Sequence, residues 1–351
     1  MKKIAVLFII TGSSFAVKAQ DFGQIIAGSL KDANKYAGDY MQPFAEGEIY
    51  NLSRGWFSTA RTHKLLGVDI SINGQFAIVP SGKENFTFNN ADYTTFKLHS
   101  GNTSALLPTF MGGSTGQQQI DVKTPITYNG ITYTATTNFT APKGIGDDLK
   151  KNISFVPTAA PLPVAQIGIG LFKHTDLKVR YFPKTNFSDV EIGVFGVAIQ
   201  HEFSNYIPFF KKVPFLHLSA LAGYSSIDAN YKPKFDASSS VQSNNALAGY
   251  KISAFTLQGI ASVKFSLLEI YTSVGYSSGK STIDLTGDYN ITYTVPPVTM
   301  TQKDPVSLSY NASGISNTWG VRLNFFFLKV YADYTFARYN GVGVGMALAF
   351  R

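Results

Sequence analysis

Apolar and polar residues alternate at every second position through most of this chain, most sharply near its C-terminus. Trp319, Val321, Leu323, Phe325 and Phe327 share one face, with Arg322 and Asn324 on the other. Val330, Ala332, Tyr334 and Phe336 then oppose Lys329, Asp333 and Thr335, and Val342, Val344, Met346, Leu348 and Phe350 oppose Gly341, Gly343, Gly345, Ala347 and Ala349. Period-two alternation marks a β-strand whose faces meet different surroundings. Strands of about ten residues with one aromatic-rich face have the length that crosses a bilayer at a tilt.

The same pattern predicts strands at 64–79, 164–172, 176–183, 189–203, 216–226, 250–265 and 269–285, ten with the three above. Asn129-Gly130 is a two-residue hairpin signal between alternating segments 119–128 and 131–139, which would raise the count to twelve. Laid out in order, the long connections (81–162, 231–249 and 286–315) all fall at one end. Tight turns near 174, 267 and 327 fall at the other, where only 204–214 is longer. This asymmetry predicts an all-β fold, a transmembrane antiparallel β-barrel of 10 to 14 strands, even in number, with both termini at the tight-turn end. Tyr181, Tyr224, Tyr276, Trp319 and Tyr339, near strand ends, are expected in the interfacial girdles.

The N-terminal part follows other rules. Residues 1–19, MKKIAVLFIITGSSFAVKA, carry a basic start, a short apolar core and a small-residue cleavage site, the pattern of a cleaved signal peptide. In 20–62, Ile25, Ile26, Leu30, Ala33, Tyr36, Ala37 and Tyr40 recur at helical spacing, predicting a short helix over 22–39 that Pro43 ends. The segment has no strand partner of its own. It is read as a plug in the lumen, with a helix lying beneath the barrel as the alternative; residues 63–351 form the barrel. The export signal and barrel pattern place the chain in the bacterial outer membrane.

Composition narrows the chemistry. Aromatics make up 14% and charged residues 15%, there is no cysteine, and the +8 charge is scattered with no basic run to track a phosphate backbone. Nucleic-acid partners, disulfides and thiolate catalysis are therefore not expected; outer-membrane lipid is. The five histidines have no metal-ligand spacing and GxSxG is absent, so neither a metal, a cofactor nor an enzymatic activity is expected. The candidate residues are instead inward-facing: Lys178, Arg180, Lys264, Arg322, Lys329 and Asp333 along the lumen wall, with Arg54, Trp56 and Phe57 in the plug. A turn at Phe327-Leu328 would set Arg322 directly opposite Asp333. The small residues facing inward from 341 to 349 leave room for the plug to dock or for a solute to pass.

RGWFSTA at 54–60 with His63-Lys64, LPTFMGG at 107–113, KHTDLKVRYFP at 173–183 and GVFGVAIQHEF at 193–203 resemble an uncharacterised family of Bacteroidota outer-membrane barrels. That family is distantly similar to FadL-type transporters of hydrophobic compounds, whose N-terminal hatch fills the barrel. The resemblance implies passive uptake of a small hydrophobic solute gated by 20–62. A non-transporting barrel, serving an assembly or secretion complex or binding a partner through its loops, is the other reading.

Overall fold

The computed structural model describes residues 23–114, 116–153, 157–187, 190–233 and 241–350; the expected leader and residues 20–22 lie outside them. Helix α1 (Leu30–Ser53) precedes sixteen described strands. They are β1 (Val68–Ile78), β2 (Asn85–Asn89), β3 (Phe96–Leu98), β4 (Ser104–Pro108), β5 (Gln119–Tyr128), β6 (Ile131–Thr140), β7 (Ala159–Leu171) and β8 (Thr175–Phe187). There follow β9 (Val190–Glu202), β10 (Leu216–Tyr231), β11 (Val241–Phe265), β12 (Leu268–Tyr293), β13 (Val298–Lys303), β14 (Val306–Phe325), β15 (Leu328–Phe336) and β16 (Gly341–Phe350).

Ten strands close a ring in the order β1-β7-β8-β9-β10-β11-β12-β14-β15-β16, and β16 returns to pair antiparallel with β1. Closure satisfies the backbone groups that a sheet edge would leave bare in hydrocarbon. The 119–139 hairpin stays out of the ring: β5 pairs with β6 on one side and with β3 on the other. No described helix is long and apolar enough to cross a membrane.

On β14, Ile315, Trp319, Val321, Leu323 and Phe325 lie exposed on the outside while Ser316, Thr318 and Asn324 are buried inside. β11 and β12 repeat this with Phe255, Leu257 and Phe265 and with Ile270, Val274 and Tyr276 outside. Eleven residues at a barrel tilt span about 25 Å, the height of a hydrocarbon core. Tyr181, Tyr224, Tyr276 and Trp319 stand exposed on this outer face, whereas Tyr339, expected with them, is fully buried. It lies in the turn before β16, where its ring stacks on Tyr50 and its hydroxyl bonds Glu46.

Beyond the belt, toward the long connections, the polarity turns inside out. The outward residues of β14 become Ser307, Ser309, Asn311 and Ser313, and the inward ones Leu308, Tyr310 and Ala312. β12 likewise turns Lys280, Thr282 and Asp284 outward and Ile283 and Leu285 inward. The barrel thus continues into water as an ordinary soluble sheet around an apolar interior. Much of 231–249 and 286–315, expected as loop, is consequently strand: β11 begins at Val241, β12 runs to Tyr293 and β14 starts at Val306. Within 81–162 lies a small folded domain. Its sheets, β2–β4 and β3–β5–β6, enclose Phe88, Tyr93, Phe96, Leu107, Ile120 and Phe139 together with Ile25 and Tyr36 from the N-terminal segment.

Helix α1 departs from the expected 22–39 helix. Its N-cap Ser29 accepts a bond from the Asp32 N–H, and it runs through Pro43 to Ser53. An interior proline forfeits a backbone bond and costs roughly 3 kcal/mol in an isolated helix. Here burial offsets it, because Tyr40, Met41, Phe44, Ala45, Ile49 and Tyr50 are buried around the helix. α1 touches β1, β7, β10, β11, β12 and β14, strands from opposite walls, so it lies in the lumen and not beneath the barrel. Gly23 sits beside Val241 at the long-connection end, whereas Phe350 pairs with Val68 at the tight-turn end. The expectation that both ends share one side is therefore corrected for the described residues: the N-terminal segment threads the lumen from the long-connection end, and the even strand number follows from ring closure alone.

Candidate functional site

The lumen is built in two tiers, each matched to the state of the backbone that fills it. In the upper tier α1 satisfies its own backbone bonds, and the wall around it is apolar: Leu162, Val164, Ile227, Ile252 and Ala254 pack against Ile49, Tyr50 and Leu52. Below Ser53 the chain is extended, and its N–H and C=O groups need partners elsewhere. There the wall turns polar and supplies them.

Arg180 of β8, fully buried, donates to the carbonyls of Leu52 (3.0 Å) and Arg54 (2.6 Å) and to Gln166 Oε1 (3.2 Å). The first two are orphan carbonyls at the helix C-terminus, where a cation also complements the helix dipole. Lys178, two residues earlier on the same face, donates to Trp56 O at 2.8 Å and Gln200 Oε1 at 2.7 Å. Further down, Gln200 Nε2 donates to Thr59 O (3.0 Å), Ala60 N to Ser262 Oγ (3.1 Å), Thr62 N to Glu202 (3.0 Å) and His63 N to Asp176 (2.9 Å). Residues 52–63 are stitched to the wall almost as another strand would be.

Trp56 anchors the stitching. Its indole is 1% exposed and lies under the Arg180 guanidinium, 3.5 Å from the ring centroid. A Cβ on Gly196 or Gly223 would stand 3.2 or 3.1 Å from the indole, so side-chain-free positions on β9 and β10 form its socket. Phe57 packs edge-on to Tyr271.

The small-residue stripe on β16 is filled in the same way. Arg54 occupies the place of a Gly341 side chain and donates to Tyr339 O, while Asp333 and Tyr331 fill the space over Gly343 and Gly345. Arg322 does not face Asp333. The turn is Phe326-Phe327, one residue earlier than expected, so Arg322 pairs across the ladder with Tyr331 and Asp333 with Gly320. Arg322 donates to Ser58 Oγ, and Asp333 accepts from the Tyr271 hydroxyl at 2.9 Å. Lys264 and Lys329 sit at the tight-turn mouth, where Lys329 Nζ donates to Phe326 O and Arg322 is a near neighbour of Lys329. One cavity between the 55–63 stretch and the polar wall holds about 30 Å³, room for one or two waters.

Acidic groups hold the upper end. Burial raises the affinity of the Asp32 carboxyl for a proton, but side-chain and backbone bonds from Thr94 and Thr95 outweigh it and hold the pKa below the usual carboxylate range. Glu46, at the barrel mouth, is likewise lowered: bonds from Lys83, Gln42 and Tyr339 overcome its burial. Glu48 has only Asn51 to bond it, and burial pushes it up to about 8. Nothing in the spacing of these three acids marked them; Asp32 and Glu46 draw partners from the long connection and the β15–β16 turn, and Glu48 only Asn51 of α1 itself.

The sequence matches one family over nearly its whole length. The chain belongs to a family of unknown function, DUF6588. The match covers residues 1–350. A comparison with curated proteins finds no match. Among solved structures, the chain overlaps the Ail attachment protein of Yersinia pestis in complex with a heparin analogue, with 7% identity, TM-score 0.26, and coverage of 82% of this chain and 100% of that one. It also overlaps the outer-membrane protease OmpT of Escherichia coli, with 10% identity, TM-score 0.28, and coverage of 83% and 100%. The translocator domain of the NalP autotransporter of Neisseria meningitidis overlaps with 10% identity, TM-score 0.24, and coverage of 82% and 90%. Overlaps this loose carry no argument; the barrel rests on the strand pairing and the belt described above.

Proposed function

We propose that this protein is a sealed outer-membrane barrel that displays the 81–162 domain at the cell surface as a binding platform. The observation that carries this reading is the occupied lumen: α1 and residues 54–63 run through it, and the cavity between the 55–63 stretch and the polar wall is only about 30 Å³. The tight turns then face the periplasm and the long connections the exterior, as in outer-membrane barrels generally. Burial of Ile25 and Tyr36 in the core of the displayed domain gives the plug a second task, fastening that domain to the barrel. Such a role involves no catalysis.

Passive uptake of a small hydrophobic solute, the reading the FadL-type resemblance supports, requires the plug to move. One feature favours it: residues 54–63 are held largely by hydrogen bonds, which water could replace once the tier was wetted. Conductance in planar bilayers separates the two. The intact protein passes no current if it is sealed, and steady single-channel current through it would refute the proposal. Protease or biotin labelling of 81–162 on whole cells tests the display arm.

A further inference from the structure

The tight-turn mouth holds a second constellation, distinct from the stitched plug. An open cavity of about 340 Å³ lies between the start of β10, the end of β11 and the plug, lined by Arg61, Pro214, Phe215, His217, Lys264 and Ser266. His217 is oriented from behind by Glu202, 2.7 Å from its Nδ1. Among the described residues neither Arg61 nor Lys264 makes an ion pair. Lys264 stands across the ladder from Glu269, but that carboxylate accepts instead from the Thr59 hydroxyl. Lys329, nearby, feels the like charges of Arg322, Lys264 and Arg61, with Glu269 the one opposing charge among its main neighbours. Like charges that outnumber their counter-charges cost free energy, and an anion in the cavity would relieve it.

The position of the cavity narrows the anion. Its rim is the lower edge of the apolar belt, where Phe215, Phe265, Leu267 and Leu268 are exposed. The neighbouring link carries Tyr206 and Ile207, also exposed, and Lys212. Basic side chains beside exposed aromatics at a membrane boundary suit a group with a charged head and an apolar body.

We infer that this cavity is a binding site for a phosphate group, in which Arg61 and Lys264 grip the anionic oxygens and Pro214 and Phe215 support what the phosphate is attached to. The group is either the headgroup of an anionic phospholipid in the adjoining leaflet or a soluble phosphate. Arginine suits the first role through its forked donors, lysine through its point charge.

The test uses the full chain in detergent, with native mass spectrometry and titration against phosphatidylglycerol, diacylglycerol and inorganic phosphate. Wild type should retain phosphatidylglycerol and not diacylglycerol, and Arg61→Gln with Lys264→Gln should lower its affinity at least tenfold. The charge-keeping pair Arg61→Lys with Lys264→Arg should retain most of it. Inorganic phosphate that binds alone, and is lost in the Gln pair, would support the site with a soluble source. Equal binding by wild type and the Gln pair, or no binding of either phosphate compound, would overturn it. Heat-modifiable migration on gels confirms that each variant is a folded barrel. The readout is independent of conductance, so the sealed-barrel proposal can fail while this one stands.

Discussion

At the scale of the residue, Arg180 carries more of the closed state than any other inward-facing charge identified by alternation. A buried guanidinium is expensive, and it is retained here because it meets two carbonyls that the end of α1 cannot satisfy. Replacing it with leucine would strand those acceptors and uncover the Trp56 ring, at a cost on the order of 3–5 kcal/mol to plug seating. Arg180→Lys should lose much of this too, since an ammonium cannot reproduce the fork and the stack together. The chain has two tryptophans, and Trp319 lies on the lipid face, so Trp319→Phe leaves Trp56 as a single emission probe. In that background Arg180→Leu should shift emission to the red and expose 54–63 to protease; unchanged emission would remove Arg180 from its assigned place. Gly223→Val tests the socket from the other side. Its side chain would stand where the indole is, so the same red shift is expected with the far-ultraviolet circular dichroism of the barrel intact.

At the scale of the element, strand phase was legible and strand length was not. Phe255, Leu257, Val263 and Phe265 could be assigned to lipid, and Thr256, Gln258, Ser262 and Lys264 to the interior, because within the belt the two solvents differ as strongly as hydrocarbon and water. Above the belt the outward residues meet water and the inward ones meet α1. Ser307 to Ser313 therefore carry the opposite pattern, which in one dimension reads as a polar loop. The helix was half legible: the spacing from Ile25 to Tyr40 marks it, but only the surrounding wall explains its passage through Pro43. Arg180 and Lys178 were recognisable as inward-facing, yet their partners are backbone carbonyls more than a hundred residues away, and no side-chain pattern encodes those. The two-tier lumen makes its own prediction. Deleting 23–62 removes the groups that satisfy the lower wall, and water must enter to replace them. The barrel strands are bonded to each other and should still close. The deletion protein should therefore fold, with higher conductance than wild type; a deletion barrel that folds yet stays closed would show that the plug is not what seals it.

At the scale of the whole molecule, plug, displayed domain and barrel mouth are joined by carboxylates, and this makes seating depend on pH. Asp32, whose pKa is depressed, contributes stability that is present above its ordinary value near 3.8 and is lost as the pH falls below it. Glu48 acts in the opposite sense. Seated, it titrates at about 8, against 4.5 when the segment is free in water. Between those values the seated state holds a proton that the free state has released. Seating therefore weakens as pH rises through this window, by up to about 1.4 kcal/mol per unit for one proton, and levels off above 8. Below 4.5 both states are protonated and Glu48 contributes nothing. Tyr250 and Asn51 are the groups that face it, and neither offers the positive charge that would let it ionise in place. Protease sensitivity of 54–63, or conductance if the plug opens a path, should increase between pH 6 and pH 9 in the wild type. Glu48→Gln keeps the shape and the neutral state, so its profile over the same range should be flat and its plug firmer at pH 9. A Gln variant that loosens in parallel with the wild type would place the sensitivity elsewhere in the molecule.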